Sequence, residues 1–95
     1  ERPSIVDFMQ VGEQAEVFEI DVARNAPIAG RTIATAAESG LLPDDVFVVA
    51  IEREASETPV VPRGDTTLQV GDRLTVYAAE GATEDVLGAF DGDRQ

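Results

Sequence analysis

The order of apolar and polar residues divides the chain into short strands. From Glu16 to Val22 apolar and acidic residues alternate, which is the period of a half-buried strand, and the same period recurs from Arg73 to Ala78. Val46 to Ile51 is apolar on both faces, which predicts a central strand covered on both sides. Thr58 to Val61 predicts a further strand, which its prolines confine to an edge or to strand ends.

Two short helices complete the pattern. Thr32 is placed to cap a helix that ends at Gly40, and Thr83 to cap a last helix with Glu84 and Asp85 in its first turn. The predicted order is β-α-β-β-β-α. A helix linking two strands implies a crossover, and the later short links imply antiparallel pairing. The sequence therefore predicts an α+β fold, with two helices packed on a small mixed sheet of about four strands.

The length of 95 residues fits a single domain. We expect residues 1–14 to be a lead-in from a missing N-terminal part, residues 15–91 to be the domain, and residues 92–95 to be a frayed tail. Residues 4–11 carry too much apolar surface for a free tail. We therefore expect this lead-in to pack on the upstream part or on a second copy.

Net charge is the compositional property that most restricts the possible partners. Nineteen acids face seven bases, all of them Arg, for a net charge of −12. This field repels nucleic acid and anionic lipid headgroups, so we expect neither as a partner. No apolar run reaches the roughly 20 residues that span a bilayer, so direct membrane insertion is not expected. The acids fit either of two roles: gathering cations or a basic partner, or keeping a halophile's cytoplasmic protein hydrated in concentrated salt.

The residue types present exclude most catalytic chemistry. Without His or Cys the chain cannot form a Ser-His or Cys-His nucleophile pair, nor a metal site with His or Cys ligands. Glycine-rich phosphate loops are also missing. Acid-only ligation leaves calcium or magnesium as conceivable ions, with Asp44 and Asp45 as weak candidates. We expect a non-enzyme, with Phe47 in the core and Tyr77 lining a surface or interface.

Several stretches, taken in order, resemble one family. The lead-in Arg2 to Phe8 is followed by four further stretches with family-like spacing, and together they cover roughly residues 2 to 90. The four stretches are Glu19–Val22 with Ala26–Ile33, Val48–Arg53, Pro62–Leu68 and Val70–Val76. This set is similar to the C-terminal RCK domain, also called TrkA-C.

The resemblance implies a regulatory domain of potassium channels, potassium uptake systems or other ion transporters. Such domains lie on the cytoplasmic side and form homodimers. NAD(H) or ATP/ADP would bind the missing N-terminal half, so no cofactor is expected in this domain. In some members cyclic di-AMP binds the cleft between two copies.

The same resemblance places that cleft at the segment entering the second predicted strand. Members that bind the cyclic dinucleotide tend to supply an Arg there, whereas this sequence has none between Arg31 and Arg53 and has two acids instead. A dianionic ligand would be repelled. The expected lining residues are Leu41, Leu42, Pro43, Asp44, Asp45, Val46 and Phe47.

Two function classes follow. The leading hypothesis is a non-catalytic dimerisation and regulatory domain that relays ligand state to a membrane potassium or cation transporter. The alternative is a module that senses a small ligand or divalent cation directly at the dimer cleft, motivated by Asp44, Asp45, Asp65 and Asp72. A small hydrolase would require an acid pair with a raised pKa in a pocket.

Overall fold

A computed structural model of the chain describes residues 5–92 and shows one four-stranded sheet with two short helices. The sheet order is β1-β2-β4-β3, and each neighbouring pair is antiparallel. The elements are β1 Ile5–Val11, β2 Ala15–Asp21, α1 Ile33–Glu38, β3 Val46–Glu52, β4 Arg73–Ala78 and α2 Glu84–Gly88.

The predicted α+β class, with four strands and two helices, is confirmed. From β2 onward the order is strand, helix, strand, single bridge, strand, helix, because an isolated antiparallel bridge between Ile51 and Val60 lies between β3 and β4. Residues 58–61 thus contribute one bridge in place of a full strand. The pairing differs from the predicted mixed sheet. β2 and β3 run in the same direction, but β4 lies between them and pairs antiparallel with both.

The two central strands carry the alternation that the sequence predicts. Phe18 and Ile20 in β2, and Leu74 and Val76 in β4, are buried on the inner face of the sheet. Both helices add to the same core, α1 through Ala36 and α2 through Val86. At about 25 cal/mol per Å² of apolar surface, this single inner layer supplies most of the stabilisation available to so short a chain.

The prediction for β3 is wrong, because this strand lies at an edge of the sheet. Its inner face reaches the core through Val46 and Ile51, but Phe47 is 57% and Val49 is 55% exposed. Phe47 is therefore not a core residue. The run is apolar on both faces because its second face forms part of an exposed apolar surface. Hydrophobic periodicity alone cannot distinguish such a strand from one that is buried on both faces.

The apolar lead-in, for which no strand was predicted, forms the opposite edge of the sheet. β1 pairs with β2 from Val11 opposite Ala15 to Ile5 opposite Ile20, with an irregularity near Ile5. Gly12, at φ +67°, lies in the tight connection between the two strands. The lead-in thus satisfies the backbone groups along one side of β2.

Local capping fixes both helices where the sequence places them. The Thr32 hydroxyl accepts a hydrogen bond from Thr35 N at 3.1 Å, and the Thr83 hydroxyl accepts one from Val86 N at 3.3 Å. Gly40 adopts φ +87°, which turns the chain away from α1 at the predicted position. Among residues 5–92, no helix has both the length and the apolar character needed to cross a bilayer.

The end of the domain closes onto the segment that follows β2. Phe90 is fully buried. Its carbonyl accepts a hydrogen bond from Ala23 N at 3.1 Å, and the carbonyl of Ala89 accepts one from Ile28 N at 3.0 Å. Gly92 passes so close to the carbonyl of Arg24 that a side chain at this position would collide with it. These contacts join the last helix to a loop more than sixty positions earlier.

Candidate functional site

A groove of about 320 Å³ opens between α1, the turn that follows it, the start of β3 and a loop that precedes β4. Its walls are mostly apolar, and it carries one acid and one base. The lining residues are Ile33, Ala37, Leu42, Pro43, Asp44, Val46, Phe47, Val48, Pro62, Arg63 and Gly64. We call this the α1–β3 groove.

Five of the seven residues predicted to line a cleft meet in this groove: Leu42, Pro43, Asp44, Val46 and Phe47. The other two do not line it. Leu41 is half-buried and packs against the core. The carbonyl of Asp45 accepts a hydrogen bond from Ala79 N at 3.0 Å, which ties the start of β3 to the end of β4.

The end of α1 builds the floor of the groove. The backbone N–H groups of Leu41 and Leu42 both donate to the carbonyl of Ala36, at 2.9 and 3.2 Å. This arrangement folds the chain back under the helix, and Leu42 is consequently only 5% exposed. The left-handed conformation of Gly40 makes the reversal possible at low cost.

A basic residue outside the predicted lining also enters the groove. Arg63 lines its rim, on the loop that precedes β4. The backbone N–H of Arg63 donates to the Thr66 hydroxyl at 3.0 Å, and Ala34 N donates to the carbonyl of Gly64 at 2.9 Å, so the loop is held against α1. Within residues 5–92 the Arg63 guanidinium has no hydrogen-bond or ion-pair partner.

Arg63 lies outside the stretch between Arg31 and Arg53, and its loop reaches the groove only in the folded chain. The Pro62–Asp65 stretch already belonged to the family-like pattern, and this was the available signal. Because both Arg63 and Asp44 line the groove, it can bind an anionic or a cationic group.

An aromatic pair stands beside the groove. Phe47 stacks on Tyr77 of β4, with ring centroids 6.2 Å apart and planes 28° from parallel. Tyr77 is half-buried, as expected for a residue that lines a surface. Such a pair holds the exposed Phe47 ring in place, so the apolar surface at this edge is preorganised.

The candidate metal ligands do not come together. Asp72 is 2% exposed and accepts two hydrogen bonds from Arg53, so it is committed to the interior of the fold. Asp44 lines the groove without Asp45 or Asp65. Among residues 5–92 no three carboxylates gather in a way that could hold a metal ion.

Two arginines lie against a second recess, at the opposite end of β3 from the α1–β3 groove. This recess, of about 430 Å³, is lined largely by acids and by Arg53 and Arg73. The hydrogen bond to Asp72 raises the pKa of Arg53 despite some desolvation, and the hydrogen bond to Asp21 raises the pKa of Arg73. Both guanidiniums are therefore charged and already paired, in contrast to the Arg63 guanidinium, which has no partner within residues 5–92.

Comparison with known protein families matches the TrkA-C domain over residues 17–90. The match begins inside β2 and ends at Phe90, so it includes α1, β3 and the whole α1–β3 groove. β1 precedes the matched region. The match agrees with the resemblance that the sequence motifs indicated.

Proposed function

The chain belongs to the TrkA-C domain family, and from this membership we propose that it regulates a membrane potassium or cation transporter as a homodimer joined at the α1–β3 groove. Domains of this family are regulatory parts of potassium transport systems. The role we propose is non-catalytic, on the cytoplasmic face of the transporter.

The observation that carries the dimer proposal is the exposed, uncharged edge beside the groove. Phe47 and Val49 are more than half exposed on a chain of net charge −12, and the run from Val46 to Ile51 has no charged residue. Two such acidic chains repel each other least when they meet at surfaces that carry no charge. An apolar edge with a fixed aromatic ring is the surface at which a second copy gains the most by excluding water.

A twofold contact at this edge supports a relay mechanism. The groove is built on α1, whose last turn and following Leu41–Leu42 segment are hydrogen-bonded as one unit. In our proposal the dimer is a rigid support for the rest of the protein, and NAD(H) or ATP/ADP binds an N-terminal half outside this chain. Ligand binding there would shift the population between two dimer geometries and so act on the transporter.

The dimer proposal is tested by molar mass in solution. Light scattering after size exclusion should give a dimer for the natural sequence and a monomer, or a markedly weaker dimer, for Phe47→Ser. The matched control is Val70→Ser, because Val70 is 54% exposed but does not line the groove. A monomeric natural protein, or equal masses for all three proteins, would overturn the proposal.

One observation favours direct sensing as a second candidate function. Arg63, which has no hydrogen-bond or ion-pair partner among residues 5–92, lines the same apolar groove as Asp44, and the groove volume of about 320 Å³ suits a small molecule. A thermal-shift screen in concentrated KCl with calcium, magnesium, cyclic di-AMP, NADH and ATP tests it. A saturable rise in melting temperature that disappears in Arg63→Gln or Asp44→Asn would establish a sensor at the groove. The absence of any shift would rule these ligands out and favour the dimerising role.

A further inference from the structure

A strip of apolar side chains lies on the sheet face opposite the core. Met9 opposes Val17 across β1 and β2, and Val17 opposes Tyr77 across β2 and β4. Cross-strand partners project from the same face, and Val11, two residues after Met9, shares it. Met9 is 60% and Val11 is 41% exposed. We call Met9, Val11, Val17 and Tyr77 the outer strip; Phe47 marks its border with the α1–β3 groove.

The same face becomes acidic further along the strands. Asp7 opposes Glu19 in the next outward-facing pair, about 7 Å from the pair formed by Met9 and Val17. One step further, Glu52 opposes Arg73. Arg73 donates to Asp21 at 2.9 Å, so its charge is already matched. We call Asp7 and Glu19 the acidic bank, because both add negative charge beside the outer strip.

A shallow groove of about 240 Å³ crosses the boundary between the strip and the bank. Met9 and Val17 line its apolar side, and Asp7 and Glu19 line its acidic side. The arrangement matches a long cationic side chain. The aliphatic part of a Lys or Arg would lie on Met9 and Val17, and its charged end would reach the two carboxylates.

We propose that the outer strip binds a basic amphipathic helix of a partner protein, with apolar side chains on the strip and Lys or Arg side chains along the acidic bank. The size of the strip supports a helix. β1 and β4 lie two strand spacings apart, about 10 Å, which is about two helical turns. Apolar residues at positions i, i+3 or i+4, and i+7 of such a helix would cover it.

A second copy of this chain fits the strip less well. The strip consists of four side chains, whereas a stable dimer buries about 800 Å² on each partner. A second copy also carries a net charge of −12, so it would bring more acids than bases to the acidic bank. An anionic membrane surface is excluded by the same charge.

This inference goes beyond the proposed dimer because it concerns a different face. The α1–β3 groove lies at the β3 edge, while the centre of the strip lies on β1 and β2. Substitutions at Met9 or Glu19 leave the groove untouched. Failure of one proposal can therefore be distinguished from failure of the other.

The test titrates ¹⁵N-labelled protein with a synthetic helix of Leu and Lys, about 18 residues long and with Leu on one helical face. The matched peptide has Glu in place of Lys. At about 0.2 M KCl, where charges still act over roughly 7 Å, the Lys peptide should cause saturable shifts at the outward-facing residues of β1 and β2, and the Glu peptide should cause none. Met9→Ser and Glu19→Lys should each weaken binding about tenfold.

The control variant is Glu38→Lys, which makes the same charge change at the exposed end of α1 and should leave the Kd within about twofold. Glu19→Gln is the milder alternative should Glu19→Lys fail to fold, and circular dichroism checks each variant. Equal binding by Met9→Ser, equal binding of both peptides, or shifts spread over the whole surface would overturn the proposal. A loss of dimer mass in Met9→Ser would assign the strip to a second copy and overturn it too.

Discussion

Arg53, the residue that follows β3, forms a bidentate ion pair with Asp72, the last residue before β4. The guanidinium Nε donates to Asp72 Oδ1 at 2.9 Å, and Nη2 donates to Oδ2 at 2.7 Å. Nη2 also donates to the carbonyl of Thr67 at 2.9 Å, while Gln69 N donates to Asp72 Oδ2 at 2.9 Å. The pair thus fixes the whole loop that leads from the α1–β3 groove into β4.

Removing this arginine should destabilise the fold. In Arg53→Met the side chain of Asp72, 3% exposed, loses its countercharge while it stays buried, so we expect a cost of about 2 kcal/mol. Arg73→Met is the matched control, because its pair with Asp21 is 41% and 47% exposed and should contribute little. Urea denaturation of both variants measures the two costs. Equal losses of unfolding free energy in the two variants would show that burial does not determine how much an ion pair stabilises the fold.

The contribution of Arg53 should not depend on pH in the usual working range. Its pair with Asp72 raises its pKa above the ordinary value for arginine. A group whose pKa is raised by folding stabilises the fold below its unfolded pKa and loses that effect only as pH rises through the folded pKa. The difference in unfolding free energy between Arg53→Met and the natural sequence should therefore be the same at about pH 6 and pH 10. A difference that shrinks by pH 10 would contradict this.

The turn at Gly40 should be costly to change. Gly40 has φ +87°, so Gly40→Ala places a side chain in a left-handed conformation and should cost about 1 kcal/mol. Gly64→Ala is the control, since a side chain there would meet Ala34 Cβ at an ordinary 3.7 Å. Thermal denaturation measures the cost, and amide shifts at Leu41 and Leu42 report movement of the groove floor. An unchanged melting temperature in Gly40→Ala would show that the turn tolerates a side chain.

Salt should stabilise this chain strongly. At net charge −12 the folded surface repels itself, and about 2 M KCl reduces the range of that repulsion to less than 3 Å. We expect the melting temperature to rise by at least about 5 °C from 0.2 M to 2 M KCl, or roughly 1 kcal/mol. A variant with Glu38→Gln, Glu54→Gln and Glu57→Gln should gain less, because fewer charges remain to be screened. Any effect of KCl on apolar burial is the same in both proteins and cancels in the comparison. An identical gain would assign the effect to apolar burial and count against a salt-adapted surface.

Local signals in the sequence predict the parts of the fold that depend on near neighbours. The alternation in β2 and β4, the caps at Thr32 and Thr83 and the turn at Gly40 all lie where the sequence places them. Each depends on contacts within a few residues or on one buried face. These elements were therefore predictable from the order of residue types alone.

The sheet order and part of the candidate site depend on contacts that are distant in sequence. β3 was predicted to be central because apolar residues cover both of its faces, but the outer face of Phe47 and Val49 is exposed. Arg63 reaches the groove because Ala34 holds its loop against α1 through Gly64. No periodicity encodes either relationship, since both are decided by which segments pack together.

The hydrogen bonds from Ala23 and Ile28 to the carbonyls of Phe90 and Ala89 have a consequence for synthesis of the protein. A chain emerging from the ribosome presents Ile28 long before its two acceptors exist. Until residue 90 has left the exit tunnel, the buried positions beside Phe90 stay open to solvent. The domain should therefore complete its fold only after release of its final helix, in a single late step, and nascent chains that stop short of Phe90 should depend on chaperones.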